Sequence, residues 1–189
     1  AKPEFHAELI ETYLDWEGQA TDEAPVLLPM PIGYEEWPTV TLKAHEMDIF
    51  PEIDEGINYS GKKGFAHQWI DRWSDPEAYA ARSIKVLADG RYRVRLRYAC
   101  PEDAVGSVFR LSAGSASLDI PIQDSWVSAP HGAAEQVIKT QGAYLSREWR
   151  DLNAGELVLP KGTHSLELRA VKMPGVEMPN IKALIFERL

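Results

Sequence analysis

Hydrophobic and polar residues alternate in short runs along most of the chain. From Thr39 onward the runs have the two-residue period of β-strands, in which neighbouring side chains point to opposite faces. They are, in order, TVTLKA, SIKVL, YRVRLRYA, SVFRLSAG, SLDIPI, GELVLP, HSLELRAV and KALIFERL. Turn-forming segments such as ADG, SAG, PKG and MPG separate them. Because no second helical pattern of comparable quality interrupts the series, the sequence predicts an all-β fold, an antiparallel β-sandwich.

The first residues have a helical period instead. In PEFHAELIETYLDWEG the apolar residues recur at spacings of four or three, with Leu14 beside them. These residues are Phe5, Leu9, Tyr13 and Trp16. One helix of this length is marginally stable alone in water, so its apolar side must pack on something, which can lie outside this chain. We expect an apolar patch of Phe5, Leu9 and Trp16 that faces a partner.

A proline-rich segment follows the helix. Residues 19–38 carry four prolines with acidic residues between them, a composition typical of an extended connector along a surface. We therefore predict two parts. Residues 1–38 are a helix and connector that belong to an upstream domain, and residues 39–189 are the β-sandwich.

Composition narrows the classes of partner. A chain of 189 residues with 44% hydrophobic content can bury one substantial core, so we expect one domain with a small appendage. The net charge of −9 disfavours binding to nucleic acid or to anionic membranes, because proteins that bind them need a surplus of Lys and Arg. One cysteine makes neither an internal disulfide nor a cysteine-based zinc site. The start AKPEF lacks the features of a signal peptide and indicates a fragment or a processed form.

The order of motifs in the second half resembles a known type of domain. A G-x-Y strand start in ADGRYRVRL, a small-residue turn, the loop TQGAY, a leucine-rich strand ending LPKG and Asn180 before the last strand follow one another. This order resembles galactose-binding-like carbohydrate-binding modules, which are β-sandwich jelly rolls. More closely, the chain resembles the C-terminal domain of bacterial arylsulfatases. In those enzymes a helix and a proline-rich connector join the catalytic domain to the sandwich. Two segments of this chain match that junction, PEFHAELIETYLDWEG and VLLPMPIGYEEWPTVTLKAHE.

The resemblance implies a non-catalytic C-terminal accessory domain of a sulfatase, with a structural, docking or glycan-targeting role. The alternative is a free-standing carbohydrate-binding module attached to another glycan-degrading enzyme. The implied partners are the chain's own upstream catalytic domain and a neutral or sulfated polysaccharide, with neither nucleic acid nor membrane. By the same resemblance the parent protein is expected to be periplasmic or secreted.

The sequence offers no catalytic group of its own. A sulfatase needs a formylglycine made from C-x-P-S-R or a near relative, together with calcium, and Cys100 is followed by Pro-Glu-Asp-Ala. We therefore expect no catalytic residue and no cofactor in this chain, and Cys100 most simply fills space. A triad of Ser125, His131 and Asp124 is disfavoured, because neighbours in one loop do not reach the required geometry.

Metal ligands are also poorly represented. The resemblance implies a structural calcium at positions that here read Lys43, His45 and Lys182, so we predict that this metal is absent, although Glu46 and Asp48 lie close by. The five histidines lack zinc spacing. The acidic segment DIFPEIDEG could hold a cation in a loop, but an exposed, solvated turn is the simpler interpretation.

Sugar binding needs flat aromatic faces and a few polar groups. The resemblance assigns such a site to loop aromatics and to the asparagine before the last strand. The candidates are Trp69, Trp73, Tyr79, Trp126, Tyr144 and Asn180. For each tryptophan the competing interpretation is a place in the core.

The segment RYRVRLRYA places arginine at every second position. One face of this strand carries two tyrosines, a valine and a leucine, and the other carries Arg91, Arg93, Arg95 and Arg97. The arginines are candidates for binding a sulfated glycan, because guanidinium groups grip oxyanions in pairs of hydrogen bonds. They could equally pair with acidic residues such as Glu167 on a neighbouring strand, or with the catalytic domain, and the net negative charge favours pairing.

Overall fold

The computed structural model describes residues 3–21, 28–61, 64–128 and 147–189. In these ranges the helix α1 (Pro3–Thr21) precedes twelve β-strands and two short 3₁₀ helices, Ala44–Glu46 and Glu102–Ala104. The strands are β1 (Met30–Ile32), β2 (Thr39–Lys43), β3 (Asp48–Phe50), β4 (Asn58–Tyr59), β5 (Ile70–Asp71), β6 (Tyr79–Val86), β7 (Gly90–Ala99), β8 (Val108–Ala113), β9 (Ala116–Pro121), β10 (Arg150–Leu159), β11 (Gly162–Lys172) and β12 (Asn180–Arg188).

The strands form two six-stranded sheets. The first sheet has the order β1-β6-β11-β8-β9, with β3 also paired to β6. The second has the order β10-β7-β12-β5-β4, with β2 also paired to β12. Among these pairs β1 runs parallel to β6, and the others are antiparallel. The predicted all-β sandwich is confirmed, and each predicted run coincides with one of the strands β2 and β6 to β12.

Alternation along the strands builds the core between the sheets. On β7, Tyr92, Val94, Leu96 and Tyr98 are buried, as the period of two requires. Their counterparts on the first sheet include Phe109 of β8. Each large apolar side chain that leaves water in this way contributes roughly 1.5–3 kcal/mol.

The end of the predicted connector is part of the sandwich. Met30 to Ile32 form β1, and the Pro38 carbonyl accepts a 2.9 Å hydrogen bond from the Arg188 amide. Gly33, with φ of +87°, leaves room for the Tyr92 hydroxyl, since a Cβ at position 33 would lie 2.1 Å from that oxygen. The boundary at Pro38 and the upstream origin of residues 1–38 stay predictions.

The amphipathic helix forms as the spacing predicts. Leu9, Tyr13 and Trp16 are each more than half exposed on α1, and the Phe5 side chain lies outside the described part. Within the described ranges, no helix combines the length and apolar character needed to cross a membrane. The partner expected for this helix stays a prediction.

Candidate functional site

Three of the predicted ligand residues meet at one end of the second sheet. Trp69 directly precedes β5, Asn180 begins β12, and Trp126 forms an antiparallel bridge with Cys100 directly after β7. These strands are neighbours in that sheet, with β12 between β7 and β5. The sandwich therefore gathers at one end residues that are distant in sequence.

An aromatic and cationic group completes this end. The rings of Trp69 and Trp149 meet edge to face, with centroids 5.3 Å apart. The Arg147 guanidinium carbon lies 4.8 Å from the Trp69 ring centre, and the Lys182 ammonium lies 5.9 Å and 6.0 Å from the Trp69 and Trp149 centres. We call Trp69, Arg147, Trp149 and Lys182 the tryptophan–lysine cluster. Such cation–π contacts contribute about 0.5–1 kcal/mol at exposed sites and more when water is excluded.

Lys182 is fixed by the backbone as well as by the rings. It lies at a break in the β12–β7 register, between Ile181 and Ala183. Its ammonium donates hydrogen bonds to the carbonyls of His67, at 2.7 Å, and Gln68, at 3.2 Å. Burial lowers the Lys182 pKa, and the nearby Lys43 charge lowers it further. The cation is therefore partly desolvated and held in one place.

Three buried nitrogens of this region are without a hydrogen-bond partner among the residues that the structure describes. They are Trp69 Nε1, Arg147 Nε and His45 Nδ1. Burial lowers the His45 pKa, Glu46 opposes that effect, and Lys43 and Lys182 add to it. An unsatisfied buried polar atom costs about 1–3 kcal/mol.

The side chains at the three positions that the resemblance assigns to a structural calcium, Lys43, His45 and Lys182, do not fit that ion. His45 senses the charges of Lys43 and Lys182, so the three positions do come together. Calcium prefers six to eight oxygen ligands. Here an ammonium already donates to the His67 and Gln68 carbonyls, so that two of the available oxygens face a fixed positive charge. Across the described ranges, no three His, Cys, Asp or Glu side chains gather as a metal site would require.

Two further predicted glycan residues, Trp73 and Tyr79, are not part of this cluster. Trp73 is 0% exposed, packs at 5.6 Å from Phe109, and donates from Nε1 to the Asp75 carbonyl at 3.0 Å. Its place is the core, so the prediction that it faces a ligand is corrected. Tyr79 lies on the first sheet, away from the tryptophan–lysine cluster, and Tyr144 is outside the described residues.

Trp149, Arg147 and Lys182 were not candidates for ligand binding in the sequence. The first two directly precede β10, and β10 begins opposite the end of β7, where Arg150 pairs with Tyr98. The strand order β10-β7-β12-β5 brings Trp149 to the end of the sheet at which Trp69 precedes β5. An aromatic–cation pair just before a strand, REW, was the available sequence signal, and it is a weak one.

The arginine row faces carboxylates of its neighbouring strands. Arg97 holds Asp151 of β10 through two hydrogen bonds of 2.7 Å and 2.9 Å, and Arg95 approaches the same carboxylate at 3.5 Å. Arg93 meets Glu187 of β12 at 3.1 Å, and Arg91 pairs with Glu156 of β10. Glu167, the partner suggested by the sequence, pairs instead with Arg169 on the first sheet at 2.9 Å.

This pairing changes the electrostatic character of the row. The hydrogen bonds from Arg97 lower the Asp151 pKa, against the effect of burial, and the charges of Arg97 and Arg95 lower it further. Exposed pairs of this kind contribute about 0–1 kcal/mol each. The described contacts agree with the acidic-pairing alternative, and binding of a sulfated chain by these arginines stays a prediction.

Two members of the disfavoured triad, Asp124 and Ser125, lie within the described residues. Asp124 forms an ion pair with Arg150 at 3.1 Å, Ser125 is exposed in the same loop, and His131 lies outside the described part. Cys100 is buried, and its thiol donates to the Pro101 carbonyl at 3.2 Å. Burial, with a smaller effect of the Asp103 charge, raises the Cys100 pKa to about 11.

We expect the Cys100 thiol to be unreactive in the folded protein. The thiolate is the reactive species, so the raised pKa and the burial together slow alkylation by iodoacetamide at about pH 8 by at least roughly a hundredfold relative to the urea-unfolded chain. Mass spectrometry of quenched samples measures both rates, with one label per unfolded chain as the control. Equal rates in the two states would show that Cys100 is an accessible thiol.

Comparison of the sequence with protein-family models and with curated proteins gives no match. Solved structures do share the fold. The C-terminal CBM6 module of LamC, a marine laminarinase from Zobellia galactanivorans, superimposes with a TM-score of 0.51 over 79% of this chain and 99% of that chain, at 13% identity. The Cry4Aa toxin of Bacillus thuringiensis gives 0.55, at 14% identity, over 80% of this chain and 23% of that chain.

A third structure is the isomalto-dextranase of Arthrobacter globiformis T6, solved with panose. It gives a TM-score of 0.50 at 14% identity, over 79% of this chain and 23% of that chain. The chain thus spans about a quarter of the two longer proteins and nearly the whole of the carbohydrate-binding module. At these identities the likeness concerns the fold, which is the β-sandwich found in carbohydrate-binding modules.

Proposed function

We propose that this chain is a non-catalytic carbohydrate-binding accessory domain and that the tryptophan–lysine cluster holds the glycan. The observation that supports this most is the meeting of Trp69, Trp149 and two cations at the end of a sandwich whose fold is that of a carbohydrate-binding module. Binding, and not catalysis, is the role for which this arrangement supplies the chemistry.

The cluster has the groups that sugar recognition requires. Half-buried Trp149 offers aromatic surface for the C–H face of a pyranose, and Asn180 begins β12 at the same end. Trp69 is only 9% exposed and supports Trp149 from behind. The charges of Arg147 and Lys182 favour a chain that carries sulfate or carboxylate groups over a neutral one.

The identity of the parent protein belongs to the same proposal. The exposed apolar residues of α1 support attachment to a further domain, and the resemblance of the helix, the connector and the sandwich order supports a sulfatase as that domain. Such an enzyme would use calcium and formylglycine in its own domain and would act in the periplasm or outside the cell. A free-standing module on another glycan-degrading enzyme is the second candidate.

Calorimetry with the purified chain tests glycan binding. We expect dissociation constants below about 1 mM for at least one of chondroitin sulfate, carrageenan, cellohexaose and xylohexaose, with the sulfated chains preferred. Trp149→Ala should weaken binding at least about tenfold. Trp37→Ala is the matched control, because Trp37 is 72% exposed and precedes Pro38, which contacts the opposite end of β12 from Asn180.

Two results would overturn the parts of the proposal separately. If no glycan binds more tightly than about 1 mM, or if Trp149→Ala binds as the wild type does, the cluster is not a glycan site. The reading frame upstream of the codon for Ala1 tests the parent. A C-x-P-S-R motif supports a sulfatase, and an upstream enzyme domain of another class overturns it.

A further inference from the structure

A second aromatic surface lies on the first sheet, away from the tryptophan–lysine cluster. Phe50 of β3 stacks on Tyr79 of β6, with ring centroids 4.8 Å apart and planes inclined by 16°. On the other side of Tyr79, the Arg169 guanidinium carbon lies 3.8 Å from the ring centre. Glu167 holds that guanidinium through a 3.0 Å hydrogen bond. The stack fixes Phe50 from one side, so that its opposite face is the one open to a ligand.

Phe50 also lines a cavity of about 490 Å³. It is lined by Asp48, Ile49, Phe50, Glu52, Ile53 and Tyr59. Although both are apolar, Phe50 is 40% exposed and Ile53 is 37% exposed. The volume lies within the range of roughly 300–1,000 Å³ that is usual for small-ligand sites.

The loop that carries Glu52 and Ile53 is held in place by contacts that do not involve a ligand. The Gly56 carbonyl accepts hydrogen bonds from the Ser74 and Asp75 amides, at 2.8 Å and 3.1 Å. Gly56 has φ of +91°, and a Cβ there would lie 2.3 Å from the Asp75 Cβ, so only glycine fits. The Asn58 amide also binds the Asp54 carboxylate. A preformed loop lowers the entropy cost of binding.

Two carboxylates stand at the cavity without a partner. Asp48 and Glu52 are exposed, and neither side chain has a hydrogen-bond or ion-pair partner among the described residues. The neighbouring Tyr59 hydroxyl donates to the Met47 carbonyl. Burial raises the Tyr59 pKa to about 12, with a further effect of the Asp48 charge, so this hydroxyl stays protonated and directs its proton to the Met47 carbonyl and not to either carboxylate.

We propose that this cavity is a second carbohydrate subsite, which takes one uncharged sugar residue stacked on the open face of Phe50. Its hydroxyl groups would donate to the carboxylates of Asp48 and Glu52, and Ile53 would cover its apolar edge. Carboxylates accept paired hydrogen bonds from adjacent hydroxyls. The same negative charges repel sulfate and uronate groups, so this subsite has the opposite preference to the tryptophan–lysine cluster. The inference rests on the proposed function only in taking carbohydrate as the ligand.

Methyl NMR of the full 189-residue chain tests the subsite directly. The probes are cellohexaose, xylohexaose, laminarihexaose and mannohexaose, and the reporter is the Ile53 δ1 methyl resonance. We expect at least one probe to shift this resonance in a saturable way below about 10 mM, and a sulfated carrageenan oligosaccharide to leave it in place. Glu52→Gln should weaken the neutral probe several-fold.

Variants separate this subsite from the first one. Phe50→Ala should weaken the neutral probe at least about tenfold, whereas Trp149→Ala should leave the Ile53 shift unchanged. Phe50→Leu keeps the apolar bulk without the flat ring and serves if Phe50→Ala fails to fold. Tyr34→Ala is the matched control, because Tyr34 is also 40% exposed and follows β1, which pairs with the far end of β6.

The outcomes are distinguishable. An Ile53 shift that disappears in Phe50→Ala and persists in Trp149→Ala supports the subsite. No shift with any of the four probes, or a shift that survives Phe50→Ala and Phe50→Leu, overturns it while leaving the tryptophan–lysine cluster untouched. Loss of calorimetric binding in Trp149→Ala without any Ile53 shift leaves a single site on this domain.

Discussion

Trp73→Ala lowers the free energy of unfolding by about 3–5 kcal/mol, the largest effect that we expect from any single tryptophan replacement in the described part of this chain. Trp73 is completely buried, its ring packs on Phe109, and its indole nitrogen donates to the Asp75 carbonyl. Alanine leaves a cavity and removes one of the two donors to the Asp75 carbonyl, which still accepts from the Ala78 amide at 3.2 Å. Urea unfolding followed by circular dichroism measures the change.

The stability of the Trp73→Ala variant is best compared with that of Trp149→Ala. Trp149 is half-buried at the end of the second sheet and its ring contacts Trp69, so we expect a smaller loss of about 1–2 kcal/mol, with glycan binding as the property that suffers. The two variants therefore separate a stability role from a ligand role. Unfolding free energies within about 1 kcal/mol of wild type for Trp73→Ala would contradict its place in the core.

Trp69 and Trp73 show where sequence reasoning stops. Both occur in QWIDRW, four residues apart, and nothing in that spacing tells that Trp73 packs on Phe109 in the core while Trp69 packs on Trp149. The position of each ring depends on neighbouring strands that are too short to have a recognisable period. β4 and β5 are two residues each and β3 is three, whereas the runs that alternate for longer were all predicted.

The cluster itself depends on contacts between distant parts of the sequence. Lys182 reaches carbonyls at His67 and Gln68, and Trp149 reaches Trp69, because β12 lies between β7 and β5. Strand order in a sandwich is not encoded in the period of any one strand. The resemblance implied a site of loop aromatic residues and Asn180, and it gave no sign that Arg147 and Lys182 would lie beside Trp69.

The arginine row also shows that alternation predicts the face of a strand but not the partners on its neighbours. Alternation alone placed the four arginines on one face of β7, and the structure agrees. The choice of partners required the neighbours, and β10 and β12 supply Asp151, Glu156 and Glu187. Glu167 was a reasonable candidate by composition, but it lies on the other sheet.

Lys182 links the cluster to the stability of the domain. Lys182→Met keeps most of the apolar stem and removes the ammonium, so the carbonyls of His67 and Gln68 lose a donor and the two indole rings lose a cation. We expect the free energy of unfolding to fall by about 1–3 kcal/mol, which is the cost of unsatisfied buried acceptors. The matched control is Lys85→Met, an exposed lysine on β6, for which a change within about 0.5 kcal/mol is expected.

Chelation is the decisive second measurement for this end of the sandwich. The Lys182 ammonium would then hold the His67 and Gln68 carbonyls in the place of the structural calcium that the resemblance implies. In that case the urea midpoint of the wild type is the same with and without excess EDTA, and only Lys182→Met lowers it. The reason is that one fixed positive charge already neutralises the dipoles of the His67 and Gln68 carbonyls, which leaves a divalent ion both unneeded and repelled. A midpoint that falls with EDTA in the wild type, or a Lys182→Met variant as stable as Lys85→Met, would show that something other than this ammonium holds the end of the second sheet together.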